Sequence, residues 1–252
     1  MAINLVLYSK NEPFNTVKEI TINSIKNVSN RNVIVHDYTL EKIKLCPWFN
    51  KIENLLNINK EGRRDGYYNS WKPYIIKDVY DKINYNDIIY YVDCSQYFKS
   101  GFTESIDKIC NVVNEIGFIA GAVADDVLNN SYNCCNNIDI WNLINPNVDN
   151  TKYLDKRHVL NSFFILKKND INTKFIEEWT YFTTYKDDKY LPLVVYHHTV
   201  DQSIFNILVY KYNLPVFYYK LNKHDQNKNK NIILHIINNN NNIQDYIIKA
   251  NH

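Results

Sequence analysis

Three short stretches place side chains capable of chemistry where ligands commonly bind. Residues 86–96 read Asn-Asp-Ile-Ile-Tyr-Tyr-Val-Asp-Cys-Ser-Gln. The β-favouring run 88–92 ends directly in Asp93, with no turn glycine between run and acid. A buried strand of an α/β sheet has this form, and the C-terminal strand ends of such sheets are where ligands bind. Trp71-Lys72-Pro73 opens an apolar-periodic segment, so a lysine and a helix N-terminus come together where a phosphate can sit. His197-His198 and then Asp201-Gln202-Ser203 open another such segment. A carboxylate, a cation and nearby imidazoles suit a metal–diphosphate ligand. Mn²⁺ or Mg²⁺ takes carboxylate and phosphate oxygens and offsets charge on a departing diphosphate, and a lysine adds a second positive charge. Each residue also has an ordinary structural use. Asp93 can cap a turn, Lys72 can be a solvated surface lysine, Trp71 can pack in the core or as a staple, and Asp201 can be an N-cap.

The elements that must position these residues follow from periodicity. Residues 3–8 read as a first strand, 17–28 as a helix and 32–36 as a second strand, the β-α-β opening of a doubly wound sheet. Residues 38–59 read as helical or irregular, broken at Pro47-Trp48-Phe49, and 61–70 as a polar, tyrosine-rich loop. The helix starting near Trp71, capped by Ser70 or Asn69, leads into the 88–92 strand. A helix over 106–116 and a strand over 118–123 end in Asp125-Asp126. Residues 128–156, with Trp141 and Tyr153 as isolated aromatics, read as a substrate-binding insertion or lid. A strand over 162–166, a helix capped by Asp170 or Asn172, the helix after Asp201 and a strand over 214–219 complete a domain over 1–221. The remainder, 222–252, reads as a polar loop, a short strand over 232–237 holding His235, and an Asn-rich tether over 238–242.

Composition narrows the class. The 252 residues suffice for a substantial core. Net charge is +2 without a basic run, which gives nucleic-acid binding no electrostatic support. The abundance of Asn, Ile, Lys and Tyr, with only 5 Gly, suggests an AT-rich genome such as that of a large DNA virus, a protist or a low-GC bacterium. Five cysteines, with no C-x-x-C, fit a reducing compartment better than a disulfide framework or a zinc site. No apolar run approaches bilayer length, and the first 8 residues are too short and too weakly basic for a signal peptide. The expectation is a soluble cytoplasmic enzyme without a membrane span, in the host cytoplasm or virion if the source is viral. No G-x-G-x-x-G and no P-loop follows the first strand.

At this point the sequence resembles a family. Tyr68-x-x-Trp71-Lys72-Pro73-Tyr74-Ile75-Ile76, then Asp87-Ile88-Ile89-Tyr90-Tyr91-Val92-Asp93-x-Ser95, and the late Asp201-Gln202-Ser203 look like the GT-A fold glycosyltransferases of the nucleotide-diphospho-sugar transferase superfamily. The likeness runs from about residue 3 to 219, and the order and spacing of the three motifs carry it. It implies a Rossmann-like α/β fold, a mixed and mostly parallel sheet flanked by helices. It also implies transfer of a sugar from a UDP- or GDP-type donor to a glycan, protein or small acceptor, metal-assisted and retaining more than inverting, with a homodimer among the expectations. The chain departs from the family at Ser95, where Asp-x-Asp has its second acid, and at Val200, where many members have His before Asp-Gln-Ser.

The resemblance implies roles residue by residue. Tyr68, Trp71, Lys72, Asp93 and Ser95 would bind the donor, with Lys72 at the diphosphate. Asp93 and Ser95, with His198 and His235, would hold Mn²⁺ or Mg²⁺. Asp201 would meet the transferred sugar, and Gln202 would sit at the anomeric carbon, stabilising an oxocarbenium-like transition state. Asp126, or its neighbour Asp125, would bind a sugar hydroxyl or act as a base. The tyrosine-rich loop and 128–156 would set sugar and acceptor. Ser95 also leaves open a catalytically degenerate protein of the same fold that only binds sugar nucleotides or glycans. A nucleotidyltransferase or sugar-nucleotide hydrolase is a third reading, and the absence of a Gly-rich segment over 9–16 argues against the nucleotidyltransferase.

Overall fold

The structure, a computed structural model, describes residues 2–9, 14–28, 31–56, 69–94, 96–97, 103–123, 138–153, 156, 158–185, 200–221, 231–236 and 243–249. Nine strands form one sheet: β1 (Ile3–Ser9), β2 (Val33–Thr39), β3 (Ile88–Val92), β4 (Gln96–Tyr97), β5 (Phe118–Val123), β6 (Val159–Lys167), β7 (Val216–Leu221), β8 (Asn231–Ile236) and β9 (Ile243–Lys249), in the order β2-β1-β3-β6-β5-β7-β8-β9-β4. Strands β2, β1, β3, β5 and β7 point one way, and β6 runs against its neighbours β3 and β5. This is the expected mixed α/β sheet flanked by helices.

Period-two alternation divides the core into two layers. Ile3, Leu5 and Leu7 of β1, Ile88, Tyr90 and Val92 of β3, and Phe163 and Ile165 of β6 face one side. There they pack on α1 (Phe14–Val28) and α5 (Thr103–Ile116) through Ile22, Ile25, Ile109, Cys110 and Val113. Val6, Ile89, Tyr91, Phe164 and Leu166 face the other side, against α4 (Trp71–Lys82), α7 (Asp170–Thr183) and α8 (Val200–Lys211). Short helices α2 (Leu40–Lys44) and α3 (Glu53–Leu56) follow β2, within the stretch read as helical or irregular, whose residues 57–59 lie outside the described residues. Phe164, Phe175, Trp179 and Phe205 form the aromatic centre of this layer, with ring centroids 5.0–6.0 Å apart. Gly117 joins α5 to β5 at φ +84°, where a Cβ would lie 2.8 Å from Asn169 Nδ2, so the turn needs glycine.

Several expectations are corrected. The cap of α7 is Asn169, whose side chain accepts from the Asn172 amide, because the helix begins at Asp170. Ser70 stands at the N-cap of α4, but its hydroxyl makes no capping bond. Asp201 is not an N-cap, since α8 already includes Val200. Trp141 is neither isolated nor part of a lid. On α6 (Ile138–Ile144) it is fully buried and stacks on Tyr153 at 4.5 Å and 3°. The tail carries two strands where the sequence suggested one.

His158, buried at the head of β6, has its imidazole pushed down to about 4 by desolvation. A histidine held neutral in the fold gives stability that is complete above its unfolded pKa and lost as pH falls through the folded one. Between pH 7 and pH 4 the wild type therefore loses about 3 kcal/mol more than His158→Phe. Urea unfolding at both pH values measures this, and parallel losses in the two proteins would refute it.

Candidate functional site

The site is assembled at the C-terminal end of β3 by four elements. The first turn of α4 supplies Lys72. Pro73 is accommodated there because the first-turn N–H groups have no partner within the helix. Tyr8, near the end of β1, stacks on Trp71 at 3.8 Å and ties the helix start to the sheet. The lysine stem is buried, and its amine lies 5.2 Å from the Tyr91 ring centroid and 6.0 Å from that of Trp71.

Strand β6 supplies the hub. Its pairing with β5 slips between Ala120 and Gly121: Ala120 faces Phe164, whereas Gly121 faces Leu160. Residues 161–163 are thus released from the β5 ladder, the kind of irregularity that re-aims side chains beside functional sites. Two amides on one face of α8, a helical turn apart, occupy the gap. Gln202 Nε2 donates to the Val159 carbonyl (2.6 Å), and Gln202 Oε1 accepts from the Asn161 amide (2.9 Å). Asn206 Oδ1 accepts from the Val159 amide (2.8 Å). The Gln202 side chain thus stands in for a strand partner.

Asn161 fixed in this way gathers the charges. The Lys72 amine donates to Asn161 Oδ1 (3.2 Å) and to its carbonyl (3.4 Å). It lies 3.4 Å from Asp93 Oδ1 and 3.8 Å from Asp201 Oδ2. Asn161 Nδ2 donates to Asp201 Oδ2 at 2.5 Å, and Trp179 Nε1 donates to the Asp201 carbonyl at 2.9 Å. Asp201 is fully buried, and its Oδ1 has no hydrogen-bond partner among the described residues. Burial lifts its carboxyl to about 6, while Lys72 and Asn161 pull the other way.

Asp93 is the outward-facing member, its side chain 35% exposed. Its Oδ1 takes the Tyr91 hydroxyl (2.8 Å) and Lys72, which leaves Oδ2 without a hydrogen-bond partner among the described residues. The backbone beside it is pinned: the Asp93 amide donates to Ser162 O (2.9 Å), and Thr21 Oγ1 donates to Cys94 O (3.0 Å). Burial, with Asp93 alongside, pushes the Cys94 thiol up to about 11, so little of it is thiolate at neutral pH.

Of the residues read from the sequence, Trp71, Lys72, Asp93, Asp201 and Gln202 come together here. Tyr68, Ser95, Asp125, Asp126 and His198 lie outside the described residues. His235 occupies a register position on β8 opposite Tyr218 and Gln244. Asn161 and Tyr91 were not foreseen. The available signal was a polar pair, Asn161-Ser162, interrupting an otherwise apolar run from Val159 to Leu166. No group of three or more His, Cys, Asp or Glu able to hold a metal occurs among the described residues. The free Asp93 Oδ2 does fit the mode in which Mg²⁺ or Mn²⁺ takes one or two carboxylates and fills its shell with substrate phosphate and water.

No protein-family model matches the sequence, and no curated protein matches it. Among solved structures the chain is similar to mouse xyloside xylosyltransferase 1 in its apo form, at a TM-score of 0.47 and 11% identity, over 86% of this chain and 84% of that one. It is similar also to a glycosyltransferase involved in the glycosylation of the major capsid of PBCV-1, at a TM-score of 0.47 and 10% identity, over 87% of this chain and 83% of that one.

Proposed function

We propose that the chain is a glycosyltransferase that moves a sugar from a nucleotide-diphosphate donor of UDP or GDP type to a hydroxyl of a glycan, protein or small acceptor. One observation carries the reading. Asp93 follows a central buried strand at the ligand edge of the sheet, its side chain 35% exposed, with Oδ1 fixed by Tyr91 and Lys72 and Oδ2 without a hydrogen-bond partner among the described residues. Asp93 would hold Mn²⁺ or Mg²⁺ together with the donor phosphates, and the bound cation would offset charge on the leaving diphosphate. Lys72, enclosed by Asp93, Asn161 and Asp201, would act on the diphosphate through the field it adds beneath Asp93. Asp201 lies fully buried behind that pair, so it would act on the transferred sugar through Lys72 and Asn161 and not by direct contact. The Asp201-Gln202-Ser203 resemblance supports transfer with retention more than with inversion.

A second reading has its own observation. Ser95 replaces the second acid, and both Lys72 and Gln202 are committed to protein partners, so the fold can bind a sugar nucleotide without transferring it.

Two measurements test these proposals. In a thermal-shift panel of UDP, GDP, dTDP and CMP with their sugar conjugates, with and without Mn²⁺, ligand at a hundredfold over Kd stabilises by about 2.7 kcal/mol, a rise of roughly 5 to 10 °C. The shift is expected for one nucleotide class, strengthened by metal and lost in Asp93→Ala. No shift with any of them would sink the donor-site reading, and a shift without sugar release or transfer would favour the binding protein.

The second concerns Asp201. A carboxyl raised to about 6 gives stability that is intact below pH 3.8 and lost as pH rises through the folded value. From pH 4 to pH 7.5 the wild type is expected to lose about 3 kcal/mol relative to Asp201→Asn. Identical pH profiles in urea unfolding would show that Asp201 is not the buried acid.

A further inference from the structure

We infer that the C-terminal strand β9 is part of the candidate site, bracing from above the segment that carries Asp93. Only Asp93, Cys94 and Ser95 separate β3 from β4. Four Cα steps reach at most about 14 Å. Yet in sheet order β4 lies six places from β3, through β6, β5, β7, β8 and β9. At about 4.8 Å per strand a flat sheet would put them about 29 Å apart. The two distances are reconciled only if the sheet curls back, so that β9 and β4 stand over the C-terminal end of β3.

The register shows where the curl begins. Strand β7 pairs with β5 through 216–219 but with β8 through 218–221, so β8 is displaced toward the ligand edge relative to β5. Strand β9 pairs with β8 along 243–248 and with β4 through Gln96↔Lys249 and Tyr97↔Ile248. On its other side β4 packs against α1, whose Thr21 holds the Cys94 carbonyl. Cys94 is therefore tied to α1, and residues 96–97 meet both α1 and β9. Residues 243–249 thus brace the strand that follows Asp93 within four residues, and through it position Asp93. The consequence for ligand binding rests on the donor-site reading; the bracing itself does not.

The test uses the full chain with Ile248→Pro, which removes one ladder donor from β9 at the residue that pairs with both Asn231 of β8 and Tyr97 of β4, and Ile243→Pro as control. Ile243 is the first residue of β9, pairs with Ile236 and not with β4, and lies where a strand tolerates proline. Hydrogen exchange followed by mass spectrometry is expected to show 96–97 protected in the wild type and in Ile243→Pro, and several-fold faster in Ile248→Pro. Maleimide labelling of Cys94 should rise with it, while Cys110, buried between α5 and the sheet, stays unreactive. Unprotected 96–97 amides in the wild type, or unchanged exchange in Ile248→Pro, would overturn the inference. Should Cys110 open as well, the variant has lost its core and the wild-type exchange alone decides. With UDP and Mn²⁺ as ligand, a wild-type thermal shift should weaken at least tenfold in apparent affinity in Ile248→Pro. An undiminished shift there overturns the site role, whereas no shift in any of the proteins counts against the donor reading and leaves the bracing to the exchange data.

Discussion

The ammonium of Lys72 is the interaction on which the site depends. It is buried among Asn161, Asp93 and Asp201, and no other lysine or arginine forms a salt bridge with either acid among the described residues. A buried ion pair contributes little net stability, because desolvation offsets the attraction, but removing one partner costs about 3–5 kcal/mol. Without Lys72, Asp201 would be an uncompensated charge at zero exposure and would protonate, and Asp93 would keep only the Tyr91 hydroxyl. The arrangement is therefore a device for orientation more than for stability: three elements meet at one amine, and the part-exposed Asp93 carboxylate is held in place.

That amine is placed by packing further away. The Tyr8–Trp71 stack sets the start of α4, and the aromatic centre around Phe164, Trp179 and Phe205 sets the spacing of α7 and α8 over β6. Trp179 belongs to both systems, since its ring packs in the core while its Nε1 holds the Asp201 carbonyl. A change in core volume at Phe205 or Trp179 is thus transmitted to the Asp201–Asn161–Lys72 contact, because close-packed interiors transmit strain.

Much of this was legible in the sequence. The 88–92 run is buried at every position, so its apolar continuity announced a central strand, and Asp93 at its end sits where the reading put it. The start of α4 was legible from Trp71-Lys72-Pro73. What stayed hidden depended on partners distant in sequence. Asn161 is marked locally only by the polar pair it forms with Ser162, and its role comes from a slip against β5 and from side chains on α8 some 40 residues later. Asp201 looked like a cap because an acid before an apolar-periodic run usually is one, yet the helix starts one residue earlier and turns that acid inward. Trp141 looked isolated because its stacking partner, Tyr153, lies twelve residues on, beyond any helical period. The strand β9 could not be placed at all, because Asn-rich flanks read as a tether and sheet order is not a local property.

The charge count of the cluster bears on how a donor can approach. With both carboxyls ionised, Asp93, Asp201 and Lys72 sum to one negative charge, and the exposed member is the carboxylate. A bare diphosphate brought to about 4 Å from Asp93 Oδ2 would meet a repulsion of roughly 4 kcal/mol per pair of unit charges near a protein surface. The buried lysine offsets part of this, but its amine is already shared with two acids. On the proposed reading, the donor therefore arrives with its own cation, so that Asp93 meets positive charge first, and Asp201 lowers the cost further to the extent that it takes up a proton near pH 6. Lys72 then has one consistent use, to place a positive charge between two acids so that they can share a site, and the proline-marked start of α4 is the means by which the sequence puts it there.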